Sequence, residues 1–223
     1  MKITKDILDQ LASQKRKSQL LDSVQNDIID FLNNRNRFFF NERELNMNLA
    51  MYLMQQSKYD DVEVEYRIPR DFNPTISKAY ITLSYDIMVS KDGEFVPIEI
   101  IYKLNATNYN LKRCGEDSAG STQITSNQCV RRDLVCYSFW NDVKRVEILR
   151  DSFKSVNGGF VLFLTDDSDY INLLKKSVVI ISDCTELSLG ELHKMDWHHF
   201  VDIYDVTKGI NVSGLHGGLM RID

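Results

Sequence analysis

The sequence predicts a protein that combines α-helices with β-strands, an α/β fold of the mixed α+β type, on three observations. Apolar residues recur at spacings of three and four from Ile3 to about Asn34, which predicts two helices at the N-terminus. Two alternating runs, Ile81 to Val89 and Phe95 to Tyr102, flank Asp92-Gly93 and predict a β-hairpin. The continuous apolar run from Gly159 to Thr165 predicts a buried strand.

Two further elements lie between the first helices and the hairpin. Asn41 is a typical helix cap, and Glu44 three positions later completes a capping box, so a helix is predicted from there to about Gln56. The alternation in Val62 to Tyr66 then predicts a strand, with Val62, Val64 and Tyr66 on one side.

The second half of the chain has a less regular pattern. The polar stretch from Asn105 to Asn127 predicts a mobile loop, and a helix is expected over about Gln128 to Phe153. Short apolar runs predict strands at Val178 to Ser182 and Phe200 to Tyr204. The glycine-rich segment from Gly214 to Gly218 is expected to be a turn.

Composition narrows the class of protein. With 27 Lys and Arg against 32 Asp and Glu, the net charge of -5 does not favour nucleic-acid binding, although local basic patches would still permit it. Basic pairs such as Lys144-Arg145 are interpreted as solvated. The four cysteines have no zinc-ligand spacing, and no apolar run reaches the length of a signal peptide or membrane span. We expect a cytoplasmic protein with no membrane partner.

Asp86 and Glu99 are the first candidates for a functional site. If Asp92-Gly93 is a two-residue loop, paired positions sum to 185, and Asp86 then lies opposite Glu99. Opposite residues have Cβ atoms about 4.5–5.5 Å apart, so two carboxylates there repel unless a positive group lies between them. A divalent metal would supply that charge.

Two more residues extend this set. Glu42 shares a helical face with Leu45, Leu49 and Leu53, so it is predicted to point along the inward stripe. Lys103 lies on the strand face that carries Glu99, where an ammonium would neutralise charge or orient a water. Oxygen ligands suit Mg2+ or Mn2+, and a bound metal would lower the pKa of a water that attacks a phosphodiester.

A helix glutamate, a strand aspartate, a hairpin and a strand glutamate together resemble the core of the PD-(D/E)xK nuclease superfamily. The segments FNERELNMNLAMYL, YDDVEVEYRIP, FVPIEIIYK, YSFWNDVKRVEIL and NGGFVLFLTDD are similar to those of a bacterial restriction-endonuclease-like family. The resemblance covers most of residues 40–167. It implies a central mixed sheet flanked by helices and a magnesium-dependent nuclease site at Asp86 and Glu99, with Glu42 as the helix carboxylate.

This chain departs from the family at one important position. Where the family places a lysine two residues after the strand glutamate, the chain has Ile101, and Lys103 is the nearest substitute on that face. The family's helix glutamine aligns with Arg132. Arg131 and Arg132, with Lys112 and Arg113 on the preceding loop, are candidates for phosphate contacts.

The 223 residues are interpreted as one domain, with N-terminal helices over 1–35, a nuclease-like core over 36–170 and an extension of the core over 171–223. The favoured function is metal-dependent hydrolysis of nucleic acid, with DNA as the expected substrate. The alternative is a catalytically degenerate nuclease fold that binds nucleic acid or protein. A homodimer or protein partner is left open, and so is the pathway.

Each candidate also has a purely structural explanation. Asp86 would serve equally as a hydrogen-bonded strand residue and Glu99 as a solvated one. Glu42 is favoured by the helix dipole alone, and Lys103 needs no function as an exposed lysine at a strand end.

Overall fold

The structure is a computed structural model, and it describes residues 5–34, 39–68, 83–104, 107–109, 112–113, 116–117, 122–124, 132–167, 169, 200–203 and 215–223. Within these ranges the helices are α1 (Lys5–Asn34), α2 (Glu42–Gln55) and α3 (Arg132–Ser152). The strands are β1 (Asp61–Ile68), β2 (Leu83–Lys91), β3 (Glu94–Lys103), β4 (Thr107–Tyr109), β5 (Lys112–Arg113), β6 (Glu116–Asp117), β7 (Thr122–Ile124), β8 (Gly159–Thr165), β9 (Phe200–Ile203) and β10 (His216–Ile222).

Six strands form the main sheet, in the order β1-β2-β3-β8-β10-β9. The central pair β3 and β8 is parallel, and the other neighbouring pairs are antiparallel. Helix α3 precedes β8 and covers one face of the sheet, whereas α1 and α2 pack on the other. The predicted combination of helices with a mixed sheet is therefore confirmed.

Helix α1 corrects one prediction, since a single helix runs from Lys5–Asn34 where two were expected. The polar segment from Ser13 to Lys17 interrupts the apolar spacing, but it contains neither proline nor glycine, so it does not stop the backbone hydrogen bonds. Leu21, Val24, Ile28 and Phe31 then bury the second half of the helix against the sheet.

The hairpin of β2 and β3 has the predicted turn. Asp92 and Gly93 have positive φ angles of 52° and 77°, which is the pattern of a type I′ turn. The strand pairs from Lys91–Glu94 to Ile87–Ile98 all follow the predicted register. The ladder ends there, one step before Asp86 and Glu99 would have paired.

The side chains of β1 and β2 change faces near this point. The alternation from Ile81 to Val89 predicts that Tyr85, Ile87 and Val89 share one apolar face of β2, and this prediction is wrong. Ile87 and Val89 pack toward α1 and α2, but Tyr85 packs toward α3. In β1 the pair between Glu65 and Asp86 is missing from an otherwise continuous register, and Glu65 has a left-handed φ of 52°. This distortion changes the direction of the Asp86 side chain, and Asp86 lies at the point where β2 separates from β3.

The remaining elements confirm some predictions and correct others. Strand β8 has the predicted bounds, and β9 begins at the predicted Phe200. The predicted turn at Gly214 to Gly218 is wrong from His216 onward, because β10 places Gly217 and Gly218 in the sheet.

Parts of the predicted mobile loop at 105–127 form the paired strands β4–β7 and β5–β6. The predicted strand at 178–182 lies outside the described residues. Among the described helices, none combines the length and apolar character needed to cross a membrane.

Candidate functional site

Asp86 lies in the gap that opens between β2 and β3. Its Oδ2 accepts a hydrogen bond from the Ile100 backbone N–H at 2.7 Å, in place of a backbone carbonyl of the departing strand β2. Burial raises the pKa of Asp86 to about 6, although the Ile100 hydrogen bond lowers it, and the charge of Glu42 raises it further. The hydrogen bond thus fixes the Asp86 side chain, while burial and the charge of Glu42 disfavour its ionised form.

Glu42 reaches the same strand edge from the first turn of α2. The helix begins there because Asn41 Oδ1 accepts from Glu44 N at 2.8 Å, as predicted for the cap. Glu44 Oε2 accepts from Phe40 N at 2.5 Å, one residue before the Asn41 N–H that the predicted capping box would use. Glu42 Oε2 accepts from Tyr102 N at 3.0 Å. Two carboxylates therefore bind alternate N–H groups along the open edge of β3.

Lys103 contacts Glu42 rather than Glu99. Its Nζ lies 3.7 Å from Glu42 Oε2, and the two side chains are 36% and 41% exposed. Such an exposed ion pair contributes little to stability. The predicted cation is therefore placed at the rim of the site, beside the helix carboxylate.

Glu99 is the most buried of the predicted residues, with its side chain 4% exposed. Arg145 Nη2 lies 2.9 Å from Glu99 Oε1, yet this oxygen accepts no hydrogen bond of good geometry among the described residues, so the contact is an ion pair. Burial raises the pKa of Glu99 well above its usual 4.5, although the charge of Arg145 lowers it.

Sequence reasoning missed Asp142 and Arg145, which α3 brings to the site. Arg145 Nη1 lies 3.0 Å from Asp142 Oδ1, and its side chain is 17% exposed, so the prediction of a solvated Lys144-Arg145 pair is wrong at Arg145. Burial raises the pKa of Asp142 to about 7 despite Arg145. One signal was available: Asp142 shares the spacing of the buried helix positions Phe139, Val146 and Leu149.

Four acidic side chains interact electrostatically here, and we call them the carboxylate cluster: Glu42, Asp86, Glu99 and Asp142. Among the described residues, Arg145 and Lys103 are the cations that contact the cluster. When all these groups are ionised, the carboxylates exceed the cations by two charges, which equals the charge of one Mg2+ ion.

The donor chemistry of the cluster fits Mg2+ or Mn2+, since all its atoms that would bind a metal are oxygens. Within the described residues, no group of three His, Cys, Asp or Glu side chains is arranged to hold a metal ion. Mg2+ usually binds one or two carboxylates and keeps several waters, so Asp86 and Glu99 would suffice as protein ligands. The buried Oε1 of Glu99, without a directed hydrogen bond, is a suitable donor.

The other predicted residues are placed as follows. Ile101, at the family's lysine position, is 4% exposed and packs in the apolar cluster facing α3. Lys112 and Arg113 form β5 and Arg132 begins α3, but their side chains are not described. Arg131 lies outside the described residues.

Comparison with known proteins adds no relative to this description. No family model, no curated protein and no solved structure matches the chain.

Proposed function

We propose that this chain is a divalent-metal-dependent, nuclease-like protein of the restriction-endonuclease-like class that hydrolyses phosphodiester bonds in DNA. One observation carries the proposal: Asp86, Glu99 and Asp142, largely buried, and Glu42 at the rim meet where β2 and β3 separate, and when all four are ionised they carry more negative charge than the two cations described beside them neutralise. Uncompensated buried carboxylates destabilise a fold, and their presence is typical of sites that bind cations.

The residues of such a site would have different roles. Asp86 and Glu99 would hold Mg2+ or Mn2+ through carboxylate oxygens, and Glu42 would contact the metal or a water from the other side. A bound metal would lower the pKa of a water and stabilise the charge that develops on the phosphate. Lys103, half-exposed at the rim, would act on the phosphate as an electrostatic helper.

The backbone supports this arrangement. The hydrogen bonds from Ile100 N and Tyr102 N fix Asp86 and Glu42 on one strand edge, so neither carboxylate needs to be ordered when substrate arrives. Glu99 is held from the face of the sheet that α3 covers. The substrate phosphate would approach from the exposed side, where Glu42 and Lys103 lie.

The test is cleavage of plasmid and single-stranded DNA with Mg2+ or Mn2+, using wild type, Asp86→Asn and Glu99→Gln. Asp86→Asn is nearly isosteric, and its amide oxygen keeps an acceptor for Ile100 N, so loss of activity would not reflect unfolding. We expect at least a roughly hundredfold loss of rate, since a metal contributes several kcal/mol. Glu63→Gln, at an exposed position of β1, is the matched control and should cleave normally.

Undiminished cleavage by both site variants would refute the proposed site. Circular dichroism and thermal unfolding of each variant would verify that the folded structure is retained. Cleavage that persists in EDTA would refute the metal requirement in particular.

A second candidate function is a degenerate nuclease fold that binds DNA or a protein without cleaving. Two observations favour it: Ile101 is buried where the family has a lysine, and Arg145 already neutralises Glu99. This candidate predicts DNA retention in gel-shift experiments that EDTA does not change. It also predicts that the wild type does not cleave DNA and that Ile101→Lys does, provided that the rest of the site is intact.

A further inference from the structure

The Arg145 guanidinium is held in the site from several sides. Its two terminal nitrogens face different carboxylates, with Nη2 at 2.9 Å from Glu99 Oε1 and Nη1 at 3.0 Å from Asp142 Oδ1. Its central carbon lies 5.4 Å from the centre of the Tyr85 ring. The Tyr85 hydroxyl in turn donates to Arg145 O at 2.9 Å, which ties the backbone of α3 to β2.

This geometry places a positive charge against the oxygen that a metal would bind. The Glu99 side chain is only 4% exposed. Among the described residues, its Oε1 accepts no directed hydrogen bond. A guanidinium 2.9 Å away and a divalent cation on the same oxygen would repel each other strongly in a buried site. The metal would therefore have to displace Arg145 from Glu99.

Arg145 has an alternative partner when it is displaced. Asp142 is three residues earlier on the same helix, so its ion pair with Nη1 does not depend on Glu99. The arginine side chain is 17% exposed, so protein does not enclose it completely. Rotation away from Glu99 would thus leave the charge of Arg145 paired.

We propose that Arg145 is a built-in counter-cation that competes with a divalent metal for Glu99, so that metal binds at this carboxylate only when Arg145 swings toward Asp142. The inference rests on the proposed metal site. It assigns Arg145 a positioning role, because it controls the availability of Glu99 without itself contacting the phosphate. An arginine that blocks the metal differs from a helper that assists it, and the two roles predict opposite effects on metal affinity.

The experiment is calorimetric titration of the full chain with MnCl2 alone, for wild type, Arg145→Gln and Arg145→Lys. We expect Arg145→Gln to bind Mn2+ about tenfold more tightly or better, because a competing charge beside Glu99 has gone. Arg145→Lys keeps a positive charge at this position, so its gain in Mn2+ affinity should be clearly smaller than that of Arg145→Gln. Adding Glu99→Gln to Arg145→Gln should abolish the gain.

Arg221→Gln is the matched control. Arg221 is also 18% exposed and paired with two carboxylates, Asp22 and Asp223, outside the carboxylate cluster. Its loss should leave Mn2+ affinity unchanged. If Arg145→Gln does not fold, the same titration is made on Asp142→Asn with Arg145→Gln, which removes one of the carboxylates left unpaired.

Equal or weaker Mn2+ binding by the arginine variant, including no binding at all, would overturn the inference. Its failure is separable from that of the proposed function. Asp86-dependent cleavage by wild type with no gain in Arg145→Gln would sink the inference alone. A Glu99-dependent gain in Mn2+ affinity without any cleavage would support the inference and contradict the nuclease.

Discussion

Within the site, we expect the ion pair between Arg145 and Glu99 to have the largest effect on the free energy of unfolding. A double-mutant cycle would measure the coupling energy of this pair. Arg145→Gln leaves Glu99, 4% exposed, without its counter-charge and also removes the partner of Asp142. Breaking a buried pair in this way costs about 3–5 kcal/mol. Glu99→Gln should cost less, about 1–3 kcal/mol, because Arg145 keeps Asp142 and the Tyr85 ring.

The stability of the double variant, Arg145→Gln with Glu99→Gln, tests this coupling. Once Glu99 is neutral, loss of Arg145 no longer strands a charge there, so the double variant should be more stable than the sum of single effects predicts, by about 1–3 kcal/mol. Urea unfolding gives the free energies, and Trp140 is a fluorescent reporter on α3, the same helix as Arg145, with its ring centre 5.3 Å from that of Phe139.

Additivity within about 0.5 kcal/mol would refute the reasoning, since it would mean that the two groups are screened as on a surface. The control cycle uses the ion pair of Arg221 with Asp22, whose side chain is 54% exposed. Coupling there should be below about 1 kcal/mol. A control coupling as large as that of the site would show that burial is not the cause.

Three further predictions concern pH and the backbone. Because the folded-state pKa of Asp86 is raised from 3.8 to about 6, its contribution to stability is full below about pH 4 and is lost as pH rises through 6. Wild type should therefore lose up to about 3 kcal/mol over that range that Asp86→Asn does not lose, and parallel urea midpoints for the two would contradict this. Asn41→Ala removes the cap of α2 and should cost about 1 kcal/mol in urea unfolding, whereas an unchanged midpoint would show that the cap is dispensable. Gly158→Ala should be far more destabilising than Gly93→Ala by thermal unfolding, because a Cβ at Gly158 would collide with Ile222 O while Gly93 has open space; equal losses would refute the packing argument.

The parts of the fold that sequence predicted well are those with local causes. The Asp92-Gly93 turn fixes the register of β2 and β3 from Ile87 to Ile98, and the Asn41 cap fixes the start of α2. Strand β8 is buried throughout and is apolar up to Thr165 because it lies in the middle of the sheet, between β3 and β10.

The errors arose where tertiary contacts override a local pattern. Gly217 and Gly218 favour a turn by composition, yet β10 lies between β8 and β9, where small residues are accommodated in a paired strand. The change of faces in β2 was also invisible, since alternation assumes a regular pleat. The left-handed Glu65 on the neighbouring strand interrupts that regularity.

For the candidate site, sequence identified Glu42, Asp86 and Glu99 but missed Asp142 and Arg145, which α3 brings to the site. The partner of Glu99 is 46 positions later in the chain, and only packing of α3 on the sheet brings Arg145 to 2.9 Å. Local charge patterns indicated a solvated Lys144-Arg145 pair, because a basic dipeptide on a helix is usually exposed.

The structure also explains why Ile101 and Arg145 belong together. Ile101 follows Glu99 on β3 by two residues and packs in the apolar cluster under α3, the helix that delivers Arg145. A lysine there would bring a second cation beneath that helix, near a guanidinium already 2.9 Å from the same carboxylate. Like charges so close in a buried region repel, so one cation excludes the other. An apolar residue at 101 is thus the expected companion of Arg145 on α3.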